Sequence, residues 1–149
     1  MSIHLRKATL EDLKSILELV HSLAAYEKEP DAVTATIGDY HEAFQKGIFE
    51  AIVAVEKEKI IGMALYYMTF STWKGKCMYL EDFYVQPEYR DKGIGQRLFD
   101  AYIEAAIKSG ARQAKWQILD WNEPALAFYR KNKAVIETNW WNGKLYFDI

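Results

Sequence analysis

The pattern of apolar and polar positions divides the 149-residue chain into alternating β and α segments. "IHLRKA" alternates with period two, as a half-buried first strand does. Thr9 follows with Asp12 at capping-box spacing, and Leu13, Ile16, Leu17, Val20, Leu23 and Ala24 recur at helical spacing, predicting a first helix that fades before Pro30. A second helix is predicted from about residue 36 to residue 46, with Gly47 to stop it. "IFEAIVAVE" and "IIGMALYYMTF" are β-rich runs joined by a charged turn, an antiparallel hairpin, and residues 78–85 read as the next strand. Leu98, Phe99, Tyr102, Ile103, Ala106 and Ile107 share one face of a helix over residues 95–109, closed by Gly110. "RQAKWQIL" then reads as a strand, so strand, helix and strand form a crossover with parallel neighbours. Asn122 caps a short helix, "EPALAFYRKN", and "AVIETNWW" and "KLYFDI" are predicted as two last strands turning at Asn142-Gly143. The expectation is an α/β fold in a single domain over residues 1–149. Its central sheet is mixed and mostly antiparallel, of about six to seven strands, flanked by about four helices.

One strand departs from its pattern. In "MYLEDFYV" two adjacent acids, Glu81 and Asp82, interrupt an apolar run, and strand alternation puts them on opposite faces of the sheet. At least one then sits where a core residue belongs, which costs free energy unless it reaches water or a partner, so a cleft is expected there.

Composition narrows the classes. Half of the residues are hydrophobic and 27% are charged, which excludes a disordered chain, and a net charge of -2 gives no electrostatic reason to expect nucleic acid or an anionic membrane. The single Cys77 can form no internal disulfide, and His4, His21 and His41 lack metal-ligand spacing, so no metal is expected. No signal-like or membrane-spanning apolar stretch occurs, and the expected location is the cytoplasm.

"RDKGIGQRL" heads the third helix. A P-loop needs Gly-Lys-Ser/Thr, whereas Gln96 and Arg97 follow the second glycine; a dinucleotide fingerprint needs a third glycine where Leu98 stands. A helix N-terminus able to hold an anion on its amides, with Arg90, Lys92 and Arg97 around it, needs only what is present. The plainer alternative is a helix start whose glycines serve turn geometry.

Arg90 to Gly95 resembles the acyl-CoA pyrophosphate loop of the GNAT superfamily of N-acetyltransferases, and "YLEDFYV", "LAAYEKE", "TWKGK" and "WNEPALAFY" together are similar to its diamine, or spermidine/spermine, acetyltransferases. The resemblance implies acetyl-CoA as co-substrate. Its pantetheine arm would lie beside a strand opened by a bulge, at Phe83, Tyr84 and Val85, and its pyrophosphate on the segment Arg90, Asp91, Lys92, Gly93, Ile94, Gly95 and Gln96, with Asn122 as a further contact. It also implies an amine site lined by Tyr26, Glu27, Glu81 and Asp82, Tyr129 as general acid, and a homodimer. Lys133 stands where the family usually carries glycine, and the C-terminus is shorter than in polyamine-acetylating relatives.

The chemistry follows from charge. An alkyl ammonium with pKa about 10.4 must lose a proton before it attacks a thioester. Glu27, Glu81 and Asp82 can gather the cation, Glu81 being the expected proton acceptor, directly or through water; a strand amide can stabilise the carbonyl oxygen, and Tyr129 can protonate the leaving thiolate. Trp73 is a candidate wall of the amine channel, since aromatic faces attract cations. The expected reaction is acetyl transfer to a primary amine of a polyamine or small diamine by direct attack in a ternary complex. Thialysine, lysine or another small amine as acceptor, and a non-catalytic acyl-CoA-binding module, are the alternatives.

Overall fold

The computed structural model describes residues 2–147. The chain forms two compact units, one up to Gln117 and one from Ile118 onward.

The first unit carries a five-stranded sheet in the order β1-β2-β3-β4-β5, made of β1 (His4–Lys7), β2 (Glu50–Glu56), β3 (Lys59–Ser71), β4 (Gly75–Val85) and β5 (Gln113–Trp116). Neighbours from β1 to β4 are antiparallel, whereas β5 runs parallel to β4. Helices α1 (Leu13–Tyr26) and α2 (Ile37–Gln45) precede β2, and α3 (Ile94–Lys108) provides the crossover from β4 to β5. The predicted mixed sheet, hairpin and crossover are all present.

Local chemistry sets these elements. Asp12 accepts from the backbone N of Thr9 at 2.7 Å, closing the capping box on a short 3-10 turn (Leu10–Asp12) that runs into α1. The same carboxylate takes a forked pair of hydrogen bonds from Arg6 of β1, at 2.7 and 3.0 Å, so one buried acid ties strand to helix. Thr36 caps α2 by the same reciprocal arrangement with Asp39.

The sheet is covered on both faces. Leu13, Ile16, Leu19 and Val20 of α1 pack with Val53, Val55, Met63, Leu65 and Tyr84 on one face; Leu13 and Ile16 are fully buried, each worth about 1.5–3 kcal/mol of burial. On the other face α3 buries Leu98, Phe99 and Tyr102, and the Tyr102 hydroxyl donates to the Met78 carbonyl at 2.6 Å.

The second unit contains α4 (Glu123–Lys131), with Asn122 as its N-cap accepting from the Ala125 amide at 3.3 Å. Past it, Lys133 has φ +65°, the left-handed conformation that ends many helices, and the Ala134 amide reaches the Tyr129 carbonyl at 3.0 Å. The turn has the geometry a glycine would give, on a residue with a β-carbon.

Here the sequence expectation needs correction. Residues 134–147 form no strand, so the sheet has five strands rather than six or seven; the end of "KLYFDI", residues 148–149, lies outside the described residues. Val135, Trp140, Trp141, Leu145, Tyr146 and Phe147 are exposed. A hairpin's own hydrogen bonds do not hold two strands in water unless an apolar face packs on something, so a correct turn dipeptide is insufficient.

Candidate active site

The acidic pair sits at a β-bulge. Leu65 pairs with Asp82 and Tyr66 pairs with Leu80, which leaves Glu81 as an extra residue of β4 with no opposite number. Alternation is broken at that point, so the expected division of Glu81 and Asp82 between opposite faces does not occur. Asp82 lies opposite Leu65, and Tyr67, two residues along on the same face, donates its hydroxyl to Glu81 Oε1 at 2.6 Å. Both acids therefore face the side covered by α1 and α2.

Other groups converge there. Glu27 follows the last turn of α1, Tyr40 lies on α2, and Tyr79 of β4 stacks on Tyr67 with ring centroids 5.6 Å apart. Burial, then the charges of Glu81 and Glu27, push the Asp82 carboxyl up to about 7. Burial raises Glu27 as well. Burial followed by the charges of Asp82 and Glu81 pushes the Tyr40 phenol up to about 12. Among the described residues no Lys or Arg forms an ion pair with Glu27, Glu81 or Asp82; the pairs are Arg6–Asp12, Lys7–Glu50, Lys46–Glu42 and Lys108–Glu104. Three carboxylates without a cationic partner among the described residues thus gather on a partly desolvated patch, an arrangement that attracts positive charge.

Beside it the sheet opens. The ladder between β4 and β5 covers Cys77 to Leu80 and ends at Leu80–Trp116, whereas β4 continues to Val85. Residues 81–85 extend past their parallel neighbour, a place where an extended ligand can add along a strand. After β4 the chain turns at Pro87–Tyr89, and Arg90 donates from Nε to the Val85 carbonyl at 2.8 Å. Gly93, with φ +79°, is the N-cap of α3, and the first helical bond runs from the Arg97 amide to the Gly93 carbonyl at 3.1 Å. The amides of Ile94 and Gly95 come before that rung and open from the positive end of a 15-residue helix. A β-carbon on Gly93 would meet nothing within 4 Å, so glycine serves the left-handed turn there and leaves the backbone bare to a ligand. An open strand edge leading to such a helix end fits the pantetheine and pyrophosphate of acetyl-CoA.

The remaining candidates have defined places. The Arg90 guanidinium lies 5.4 Å from the Tyr26 ring centroid and 5.2 Å from that of Tyr84, linking the loop before α3 to the end of α1. Trp73 is 81% exposed in the turn between β3 and β4, beyond the Ser71–Gly75 pair. Asn122 and Tyr129 belong to the second unit, where Tyr129 is buried on α4 and meets Phe128 edge-on at 5.4 Å. Sequence reasoning missed Tyr40, Tyr67 and Tyr79; Tyr79, two residues before Glu81, was within reach of a period-two reading, whereas Tyr40 and Tyr67 come from other elements. A groove of about 360 Å³ elsewhere, lined by Lys7, Glu50, Tyr66, Glu104 and Lys108 among others, has its Lys–Glu charges paired and does not include the acid patch.

The profile of the Acetyltransferase (GNAT) family matches residues 10–133. The chain belongs to that family. It is an acetyl-CoA-dependent amine N-acetyltransferase. Among its relatives, the thialysine N-epsilon-acetyltransferase of Bos taurus is 35% identical over 138 residues, covering 86% of this chain and 81% of that protein. The spermidine/spermine N(1)-acetyltransferase-like protein 1 of Homo sapiens is 30% identical over 140 residues, 88% of this chain but 20% of that longer protein. An aminoglycoside acetyltransferase from an uncultured soil metagenomic sample, solved with trehalose, superposes with a TM-score of 0.82 over 98% of this chain and 97% of its own, at 19% identity, a likeness of fold. Among the described residues of this acetyltransferase no group of His, Cys, Asp and Glu could hold a metal ion, and no helix is long and apolar enough to cross a membrane.

Proposed function

We propose that the acceptor is a polyamine or small diamine, acetylated on a primary amine by direct attack while both substrates are bound. The observation that carries this reading is the patch of Glu27, Glu81 and Asp82, which among the described residues no Lys or Arg side chain pairs with. Diamines and the amino acids thialysine and lysine all bring a second cationic nitrogen to these carboxylates, but the amino acids add an α-carboxylate that is repelled by them. The relatives named for thialysine keep that amino acid as the second reading.

Acetyl-CoA supplies the activated acetyl group as a thioester. Backbone groups of Phe83, Tyr84 and Val85 hold its pantetheine arm, and amides from Asp91 to Gln96, with Arg90 and Lys92 near, hold its pyrophosphate. The acid patch binds the ammonium and removes one proton, leaving the nitrogen lone pair free to attack. An amide of the opened strand stabilises negative charge on the carbonyl oxygen, and the Tyr129 hydroxyl protonates the departing sulfur. Asn122 caps the helix that carries Tyr129 and contributes to the cofactor site. The family match from residue 10 to residue 133 spans both compact units, which supports reading the chain as one catalytic domain. The exposed aromatic run from Val135 to Phe147 supports a homodimer.

Steady-state turnover with spermidine, 1,3-diaminopropane, thialysine and lysine tests the acceptor. The diamines are expected to show kcat/KM at least about 10-fold above the amino acids, on the scale of one unfavourable charge contact. Equal or reversed preference overturns the polyamine reading, and acetyl-CoA binding without thiol release from any of the four places the acceptor outside both classes. In the same assay Tyr129→Phe is expected to lower kcat by about 10²-fold with acetyl-CoA affinity unchanged.

A further inference from the structure

The two acids of β4 are not equivalent. Glu81 is exposed, and its Oε1 accepts a 2.6 Å hydrogen bond from the Tyr67 hydroxyl, which fixes its direction and occupies one of its lone pairs. Asp82, paired with Leu65 in the ladder, is half-buried and receives no hydrogen bond or ion pair from any described residue. The groups that face it are Glu27 at the end of α1, Tyr40 on α2, Tyr67 on β3, and Glu81 and Tyr79 on β4, with no cation among them.

We propose that Asp82, rather than Glu81, accepts the proton of the acceptor ammonium, while Glu81 and Glu27 hold the cation in place. The assignment rests on the acetyltransferase reading above. In the step, an N–H bond breaks and its proton passes to an Asp82 carboxylate oxygen, directly or through one water. The electron pair left on nitrogen forms the bond to the acetyl carbon; as the adduct collapses the C–S bond breaks, the sulfur takes the Tyr129 proton, and the second proton shed by nitrogen passes through water to the Tyr129 phenolate. A free carboxylate without donors is the better base, and one that titrates near neutrality is ready both to take a proton and to return it to solvent. The bulge supplies the physical reason: the residue inserted into the strand, Glu81, is turned outward to Tyr67, and the next residue falls into the desolvated position opposite Leu65.

Asp82→Asn and Glu81→Gln, assayed with spermidine from about pH 5.5 to about pH 9, separate the two roles. Asp82→Asn is expected to lose at least about 10²-fold in kcat together with the acid limb of the kcat profile, whereas Glu81→Gln raises the amine KM several-fold and keeps that limb. An acid limb that persists in Asp82→Asn and vanishes in Glu81→Gln overturns the assignment. A carbon-13 carboxyl titration of the unsubstituted protein gives a test independent of turnover and of variant folding: Asp82 is expected to titrate near 7, and an Asp82 carboxyl that titrates in the ordinary carboxylate range overturns the proposal. Absence of turnover with every amine defeats the acceptor reading instead, since the Asp82 titration is read without substrate.

Discussion

Asp82 weakens the fold it belongs to. Its carboxyl is held up near 7 in the folded protein, against about 3.8 when free, so the native state keeps a proton that the unfolded chain gives up. The native state then binds more protons than the unfolded one between those values, and stability falls as pH rises from about 4 to about 7. Asp82→Asn removes this penalty. At pH 8 the variant is expected to be more stable by about 2 kcal/mol, well below the full shift because nearby solvent relieves part of it, and the gain should disappear below about pH 4. Urea unfolding at the two pH values checks it; equal midpoints at pH 8 would mean that the acid patch is not strained. Catalytic sites commonly hold such destabilising groups, and the proposed role of Asp82 as proton acceptor would give this one a chemical use.

At the level of elements, the site depends on how β1, α1 and the bulged hairpin are fastened. Asp12 performs two tasks, capping the start of α1 and forking with Arg6 of β1, and both lower its pKa below the ordinary carboxylate value, the Arg6 hydrogen bond most. The pair contributes stability that is fully present above the unfolded pKa of about 4 and is lost as pH falls through the depressed folded value. Asp12→Ala is expected to cost about 2–3 kcal/mol at pH 7, since it removes a cap and leaves Arg6 without its partner. Thermal unfolding measures this, and a loss under about 0.5 kcal/mol would show that water replaces the carboxylate readily. Because α1 ends at Glu27, loosening its start should also raise the amine KM.

For the molecule as a whole, the open question is what covers the C-terminal aromatics. Trp141 is 95% exposed, and Trp140, Tyr146 and Phe147 are exposed as well. A run of large apolar side chains in water is a common mark of a surface that meets another chain. The protein is expected to elute as a dimer with light-scattering mass twice 17.3 kDa, and the double change Trp140→Ser, Trp141→Ser is expected to shift it toward monomer. A monomer at micromolar concentration would remove the homodimer reading without touching the chemistry of β4.

Sequence alone determined the helices, the β2–β3 hairpin, the crossover through α3 and the glycine turn at its head, because periodicity, caps and glycine stops are local, their causes lying within a few residues. The resemblance carried by short motifs in order along the chain gave the co-substrate and implied the opened strand. Tertiary structure decided the rest. Strand alternation sent Glu81 and Asp82 to opposite faces, and only pairing with β3 inserted the extra residue that brought them to one face. Tyr67 and Tyr40 joined the acids from other elements, and residues 134–147, whose pattern predicts strands, form none. Each of these outcomes depends on partners distant in sequence, whose energies no local pattern contains.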